Sequence, residues 1–259
     1  MVPPKSQSDQ EKDACSSQMK NLTTLLTNRI NLLLVDDDYP ILHSLCGLFS
    51  SSSPLFCVTT ASSFEEAEKA IKCQKGNWHA WVIDVDLGTK RNGFDILKAN
   101  PNFPFTAVLS GLHSMSLGSE ASRHGAMQVF DKGASFFEKM YGDLCGIAAL
   151  GFILHGRNTK HLPVFSLLQD LSIRSSREWA DKAHITFRQL ARICENQGMV
   201  HSRHYIAFYN ACRYLLTEHQ PRKHSHTSDG VENSSEKFIS DCIDYALRHT
   251  DEIEALFNP

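Results

Sequence analysis

A chain of 259 residues, 42% apolar and 21% charged, can bury one large core or two small ones, which excludes a disordered or fibrous class. The formal net charge of −3 excludes a uniformly polyanion-binding surface and leaves charge to be read region by region. No run reaches the ~18 apolar residues of a membrane span, so no membrane partner is expected.

Residues 1–28 are rich in Ser, Gln, Lys and Asp without an apolar signal core; they read as a flexible leader with a short helix near Met19–Leu26. Ile30–Val35 is a continuous apolar run, as in a strand covered on both faces, and it ends in Asp36-Asp37-Asp38. Pro40 suits the first turn of a helix over Ile41–Phe49. Leu55–Thr60 is a second strand, after which Ser62/Glu65 and Ser63/Glu66 both form capping-box patterns for a helix to about Cys73. His79–Asp84 is a third strand, followed by a polar loop from Gly88 to Gly93 and a short helix at Phe94–Lys98. Phe105–Ser110 is a fourth strand, Ser116–His124 a helix, Val129-Phe130 a short fifth strand reaching Asp131-Lys132, and Ser135–Leu154 a long apolar helix.

This alternation predicts an α/β doubly wound, five-stranded parallel sheet over residues 29–155, of the flavodoxin-like kind. In such sheets ligands bind at the carboxyl ends of the strands. Asp36/Asp37, Asp84, Ser110 and Lys132 all stand at such ends. One acid at a strand end is compatible with a loop cap or a structural cation site; four coincident ends point to a common chemistry. A carboxylate is a weak nucleophile towards phosphorus unless developing charge is neutralised, which Mg²⁺ does through hard oxygen ligands. The expected arrangement has Asp84 as phosphoacceptor, and Asp37, Asp84 and the backbone carbonyl of Asp86 as Mg²⁺ ligands, with Asp36 assisting through water. Lys132 would pair with a phosphate oxygen and Ser110 would donate its hydroxyl to another. The Asp86 side chain reads either as tuning dephosphorylation or as a solvated loop charge.

Residues 30–155 resemble a receiver domain of two-component response regulators. The resemblance rests on Leu-Leu-Val-Asp-Asp ending at Asp37, Val-Ile-Asp-Val-Asp-Leu around Asp84, Val-Leu-Ser-Gly around Ser110, and Val-Phe-Asp-Lys ending at Lys132. It implies a histidine kinase as phosphodonor, an acceptor that catalyses only its own phosphorylation and dephosphorylation, and a surface of fourth helix, fifth strand and fifth helix that shifts to favour a homodimer. The chain departs from the family pattern at Gly88 and Gly133, where Pro is usual, and at Val129, where an aromatic is common.

A polar joint at residues 156–163 leads to an all-helical region, 164–259. It reads as a helix at Val164–Leu171, two short helices at Ser175–Lys182 and Thr186–Asn196, an apolar helix at His204–Thr217, a His/Ser/Lys-rich loop and an amphipathic helix at Lys237–Phe257. The two short helices have helix-turn-helix spacing, with small Ala180 at the close approach and His184 at the turn position. Thr186, Arg188, Gln189 and Arg192 would face DNA, Arg and Gln being the side chains that read guanine and adenine edges. Between Arg174 and Leu216 seven Lys/Arg stand against three acids, a local basic balance suited to phosphates or to a solvated surface. The segment from Arg177-Glu178-Trp179-Ala180 to Leu215-Leu216 is similar to an AraC-type DNA-binding unit, although a second helix-turn-helix is missing.

The eight cysteines show no CxxC pair and sit mostly in apolar patterns, which fits reduced thiols and a cytoplasmic protein. His219, His224 and His226 read as an exposed linker rather than a metal site. The apolar stripe Phe238, Ile239, Cys242, Ile243, Ala246, Leu247 reads as a packing face, with a dimer interface as the other choice. The expected protein is a phosphorylation-controlled transcription regulator acting on promoter DNA. The alternatives are a receiver whose helical half binds a protein, an enzymatic output, for which no further nucleophile–base constellation appears after residue 155, and a regulator independent of phosphorylation.

Overall fold

The computed structural model describes residues 22–24, 26–27, 29–74, 77–88, 90–111, 115–133, 136–157, 159–198, 201–217 and 229–255. Most of the leader and residues 218–228 of the His-rich loop lie outside them. Strand β1 (Ile30–Val35) is followed by α1 (Tyr39–Ser52), β2 (Phe56–Ala61), α2 (Phe64–Cys73), β3 (Ala80–Asp84) and α3 (Gly93–Ala99). Then come β4 (Thr106–Ser110), α4 (Met115–Arg123), β5 (Gln128–Asp131) and α5 (Phe136–Ile153). The strands form one sheet in the order β2-β1-β3-β4-β5, and every pairing is parallel. This is the doubly wound order of flavodoxin-like sheets, and its direction reverses between β1 and β3.

Local chemistry explains the helix starts. Asp38 accepts the amide of Ile41 with Pro40 in the first turn of α1, and Ser63 accepts that of Glu66. Of the two overlapping capping patterns, Ser63 is the cap; the Glu66 carboxylate instead reaches back to the amide and hydroxyl of Ser62. Asn92 and Asp95 form a reciprocal capping box at α3.

Strand side chains alternate between two covered faces. Leu33, Val35, Trp81, Ile83 and Val108 meet Phe64 and Ala67 of α2, Phe94 and Leu97 of α3, and Ala121 of α4. Leu32, Leu34, Val82, Ala107 and Leu109 face α1 and α5. From Leu144 onward helix α5 is apolar all round, with Leu144, Cys145, Ile147, Ala148, Ala149 and Leu150 at no more than 1% exposure. A helix of that kind has to be buried on every side. Its inner side packs on the sheet and its outer side on the second half of the chain, so one hydrophobic cluster runs from β1 to the C-terminal helices.

That half begins with a 3₁₀ turn at Thr159–His161 and the short α6 (Leu162–Ser166). The helix expected over Val164–Leu171 is broken up: α6 passes into a 3₁₀ turn at Leu167–Gln169, and Asp170 adopts an extended backbone. The Asp170 carboxylate accepts the amide of Ser172 at 3.0 Å, a local bond that competes with helix continuation. Helices α7 (Ser176–Lys182), α8 (Phe187–Asn196), α9 (Ser202–Thr217), α10 (Asp229–Arg248) and α11 (Thr250–Ala255) follow. The single closing helix expected to Phe257 is thus two helices, parted at His249.

Helix α9 covers the outside of α5, where Tyr141 donates its hydroxyl to the Leu216 carbonyl at 2.6 Å. Phe165 packs edge-on against Trp179 and Tyr205, at centroid distances of 5.4 and 4.9 Å. The indole of Trp179 donates to the Val164 carbonyl at 2.8 Å, so this small core leaves no indole proton unpaired. Cys242, Ile243 and Ala246 of α10 are buried, which makes the C-terminal stripe a packing face. Leu22 and Leu26, the end of the stretch read as leader, fill the space between Phe152, Ile153, Phe208 and Ala246. Among the described residues Cys46, Cys57, Cys73, Cys145, Cys194, Cys212 and Cys242 are free thiols. None of the described helices is long and apolar enough to cross a membrane.

Candidate functional site

The carboxyl ends of β1, β3 and β5 converge on one charged cluster. Lys132 Nζ, which follows β5, lies 2.7 Å from Asp36 Oδ2 and 2.8 Å from Asp84 Oδ2. Carboxylate oxygens of Asp36, Asp37 and Asp84 lie within 4.8 Å of one another. Asp36 and Asp84 are buried, at 0% and 3% exposure, while Asp37 is open to solvent. Asp36, expected to assist the ion through water, lies in the same cluster and pairs with the lysine.

Burial pushes the Asp84 carboxyl up to about 6, against the pull of Lys132 and of the Asp86 amide, so it remains mostly ionised at neutral pH. Burial likewise raises Asp36, with Lys132 and the Asp38 amide opposing. Burial works against the charge on Lys132, but its bonds to the two carboxylates prevail and hold its pKa above the ordinary value.

Two glycines shape the loop above the acids. Gly88 has φ +61°, and a Cβ there would stand 2.5 Å from Asp37 Oδ2. The family's usual Pro is incompatible with that backbone, because its ring holds φ near −65°. Gly93 sits where a Cβ would lie 2.0 Å from the Asp84 carbonyl, and its amide donates to the Val85 carbonyl at 2.9 Å. The start of α3 thus rests directly on the end of β3. Neither steric role was legible from the glycines alone.

The remaining predicted residues fall around this cluster. Ser110 is buried at the end of β4, and its carbonyl accepts the Lys132 amide at 2.9 Å. The Asp86 side chain is exposed and accepts the Gly88 amide at 3.1 Å, closing the loop. Val129 is 37% exposed, whereas Phe130 is turned into the core at 5%. The peptide bond between Lys132 and Gly133 is trans.

The donor set fits Mg²⁺. Three carboxylates at neighbouring positions supply hard oxygen ligands, and Gly88 keeps the space beside Asp37 clear of a side chain. One exposed carboxylate beside two buried ones leaves a side open for ion and substrate.

In the helical half, α7 and α8 are joined by a four-residue turn, Ala183 to Thr186. His184 has φ +53°, a left-handed position of the kind that Gly often fills. Ala180 is 2% exposed, and its carbonyl accepts the Ile185 amide at 3.1 Å. Thr186, Arg188, Gln189 and Arg192 are all exposed on α8 or its cap. Thr186 and Gln189 are nevertheless bonded to each other in a capping box, with the Thr186 hydroxyl donating to Gln189 Oε1 at 2.9 Å. Phe187, not among the predicted contacts, is 58% exposed beside Arg188.

No family model matches the chain, and no curated protein matches it. Its structural neighbours are response-regulator receiver domains. The Francisella response regulator 1452 receiver domain is 23% identical, with a TM-score of 0.40, over 46% of this chain and 96% of that one. A putative response regulator from Chloroflexus aurantiacus is 24% identical, with a TM-score of 0.40, over 46% of this chain and 98% of that one. The signal receiver domain of a DNA-binding response regulator from Colwellia psychrerythraea is 18% identical, with a TM-score of 0.39, over 44% and 97%.

Proposed function

We propose that the chain is a response regulator in which Asp84 accepts a phosphoryl group from a histidine kinase and the helical half delivers the output to DNA. One observation carries the first part: Lys132 bridges Asp36 and Asp84 at the carboxyl edge of the sheet, with Asp37 beside them. In the reaction an Asp84 oxygen bonds to phosphorus as the P–N bond of a phosphohistidine breaks. The imidazole leaves with the electron pair, and the product is an acyl phosphate. Asp36, Asp37 and Asp84 would hold Mg²⁺, which when bound neutralises charge on the transferring phosphoryl oxygens. Lys132 would exchange its bond to Asp84 for one to a phosphate oxygen, and Ser110 would donate to another.

The signal has a direct route onward. Helix α5 follows Lys132 closely in the chain and is clamped between the sheet and α9, so a shift at the acidic edge is felt inside the chain as well as on its surface. Exposed Arg188 and Arg192 on α8, with the left-handed turn at His184, support a DNA-reading helix. Phe187 supports the second reading, a protein partner for the same face, since an exposed aromatic beside an arginine is typical of an interface anchor.

Incubating the full chain with a small acyl-phosphate donor and Mg²⁺ tests the phosphorylation reading. Wild type gains one phosphoryl group by intact mass, and Asp84→Asn gains none; equal labelling of the two would overturn it. A salt titration of DNA binding separates the outputs. For a DNA reader R188A/R192A reduces the magnitude of the log–log salt slope by about two, whereas a protein-binding face gives no salt-dependent DNA affinity to lose.

A further inference from the structure

The helical half contains a second group of ligating side chains that the proposed regulator does not use. His204 lies in the first turn of α9, while His249 and Glu252 lie at the break between α10 and α11. One ligand atom of each falls within 4.8 Å of the others. His204 is only 5% exposed, and its Nδ1 is buried with no hydrogen-bond partner among the described residues. A buried imidazole nitrogen is costly to leave unmatched, so it points to something that pairs with it. The His204 and His249 rings lie 4.8 Å apart, and Tyr245 stacks on His249 at 4.4 Å, which fixes that ring in place. His249 Nδ1 is 3.1 Å from Glu252 Oε1, so these two face each other while His204 Nδ1 has no partner among the described residues.

We infer that His204, His249 and Glu252 bind a zinc ion that ties the start of α9 to the joint between α10 and α11. Two imidazoles and one carboxylate favour zinc over magnesium or calcium, which take all-oxygen sites. Tetrahedral zinc sets its ligand atoms about 3.4 Å apart, given bonds of about 2.0–2.1 Å. The spacing left to close is between His204 and the other two, and it is taken up by the exposed Glu252 carboxylate together with the joint that carries His249. The ion takes the place of the contact between His249 and Glu252, and water completes the fourth position. Three protein ligands and a water are the set of an open zinc site, here placed where a helix breaks rather than in a cleft.

The His-rich loop offers competing ligands, so the test has to tell the two apart. The full chain is stripped with a chelator and titrated with zinc chloride in Mg²⁺-containing buffer. We expect one zinc per chain, and a melting temperature raised by roughly 2–4 °C or more once zinc is in excess. Loss of a group that only hydrogen-bonds to a metal ligand costs about 10–100-fold in metal affinity, so H249A and E252Q, each removing a ligand, weaken binding by at least about 100-fold. H219A/H224A/H226A leaves it unchanged. H249A and E252Q alter exposed or half-buried positions and are accepted only if they match the metal-free wild type in melting temperature. Cobalt substituted for zinc gives an intense low-coordinate visible band in wild type that is missing from H249A. Zinc binding that survives H249A and E252Q, that is lost in the loop variant, or that does not occur at all would overturn the site.

Discussion

The two faces of the sheet are both apolar and both covered by helices, yet they end differently. The face under α2, α3 and α4 closes within residues 33–121, with those helices turning exposed outer sides to solvent. The face under α1 and α5 does not close at α5: its core passes through that helix into Phe165, Trp179, Tyr205 and the C-terminal helices. The same sheet therefore has one self-contained side and one side completed only by the rest of the chain. A repacking of α4 meets solvent, whereas one of α5 meets the helical half.

The most forceful test of that difference comes from matched core deletions. Leu97→Ala on the closed face and Leu150→Ala in α5 should each cost about 2–5 kcal/mol, as buried leucines do. In Leu150→Ala, far-UV dichroism and the fluorescence of Trp179 should move together to a lower urea midpoint. If Trp179 kept its midpoint while the sheet lost stability, the shared wall would be wrong.

A second test uses pH. His79 starts the open side of β3 and accepts the Asn31 amide through Nδ1 at 2.9 Å. Burial, assisted by the neighbouring His155, lowers its pKa from 6.5 to about 3. The unfolded chain therefore takes up a proton that the folded chain refuses. The stability due to neutral His79 is complete above pH 6.5 and is lost as pH falls from there towards 3. Between neutral pH and pH 5 the loss is about 2 kcal/mol, and His155, also lowered by burial, adds to it with the same sign. Urea midpoints at the two pH values, compared with His79→Gln, would measure this; an unchanged slope in the variant would exclude His79 as its source.

Smaller again is Tyr141→Phe, which removes the bond from α5 to Leu216 and leaves that carbonyl with only the weak Cys145 thiol donor at 3.8 Å. About 1–2 kcal/mol is expected, measured by chemical denaturation. A change below experimental error would mean that apolar contact alone joins α5 to α9.

The sheet was readable because buried parallel strands are apolar runs, and because the carboxyl edge places acids and lysine immediately after them. Asp37, Asp84 and Lys132 could be assigned from position alone. The direct pairing of Asp36 with Lys132 could not, because adjacent acids at a strand end diverge and only coordinates decide which one turns inward. Gly88 and Gly93 read as loop formers, while their steric role depends on Asp37 and on the Asp84 carbonyl. In the helical half, helix existence was legible from periodicity, but the breaks at Asp170 and His249 were not; that at Asp170 goes with a local bond from its carboxylate to the Ser172 amide. His204 and His249 are too far apart in sequence to suggest a pair; only the antiparallel return of α10 along α9 joins them.

The all-round burial of α5 has a consequence for how this chain can be divided. Cutting after residue 155 would leave a regular sheet whose last helix presents Tyr141, Cys145, Ala148 and their neighbours to water, an adhesive stripe running the length of the helix. Such a fragment would be expected to self-associate or to lose its final helix. Replacing the second half by another domain would work if the seam were a tether. Here the seam is a core, so the two halves have to change together.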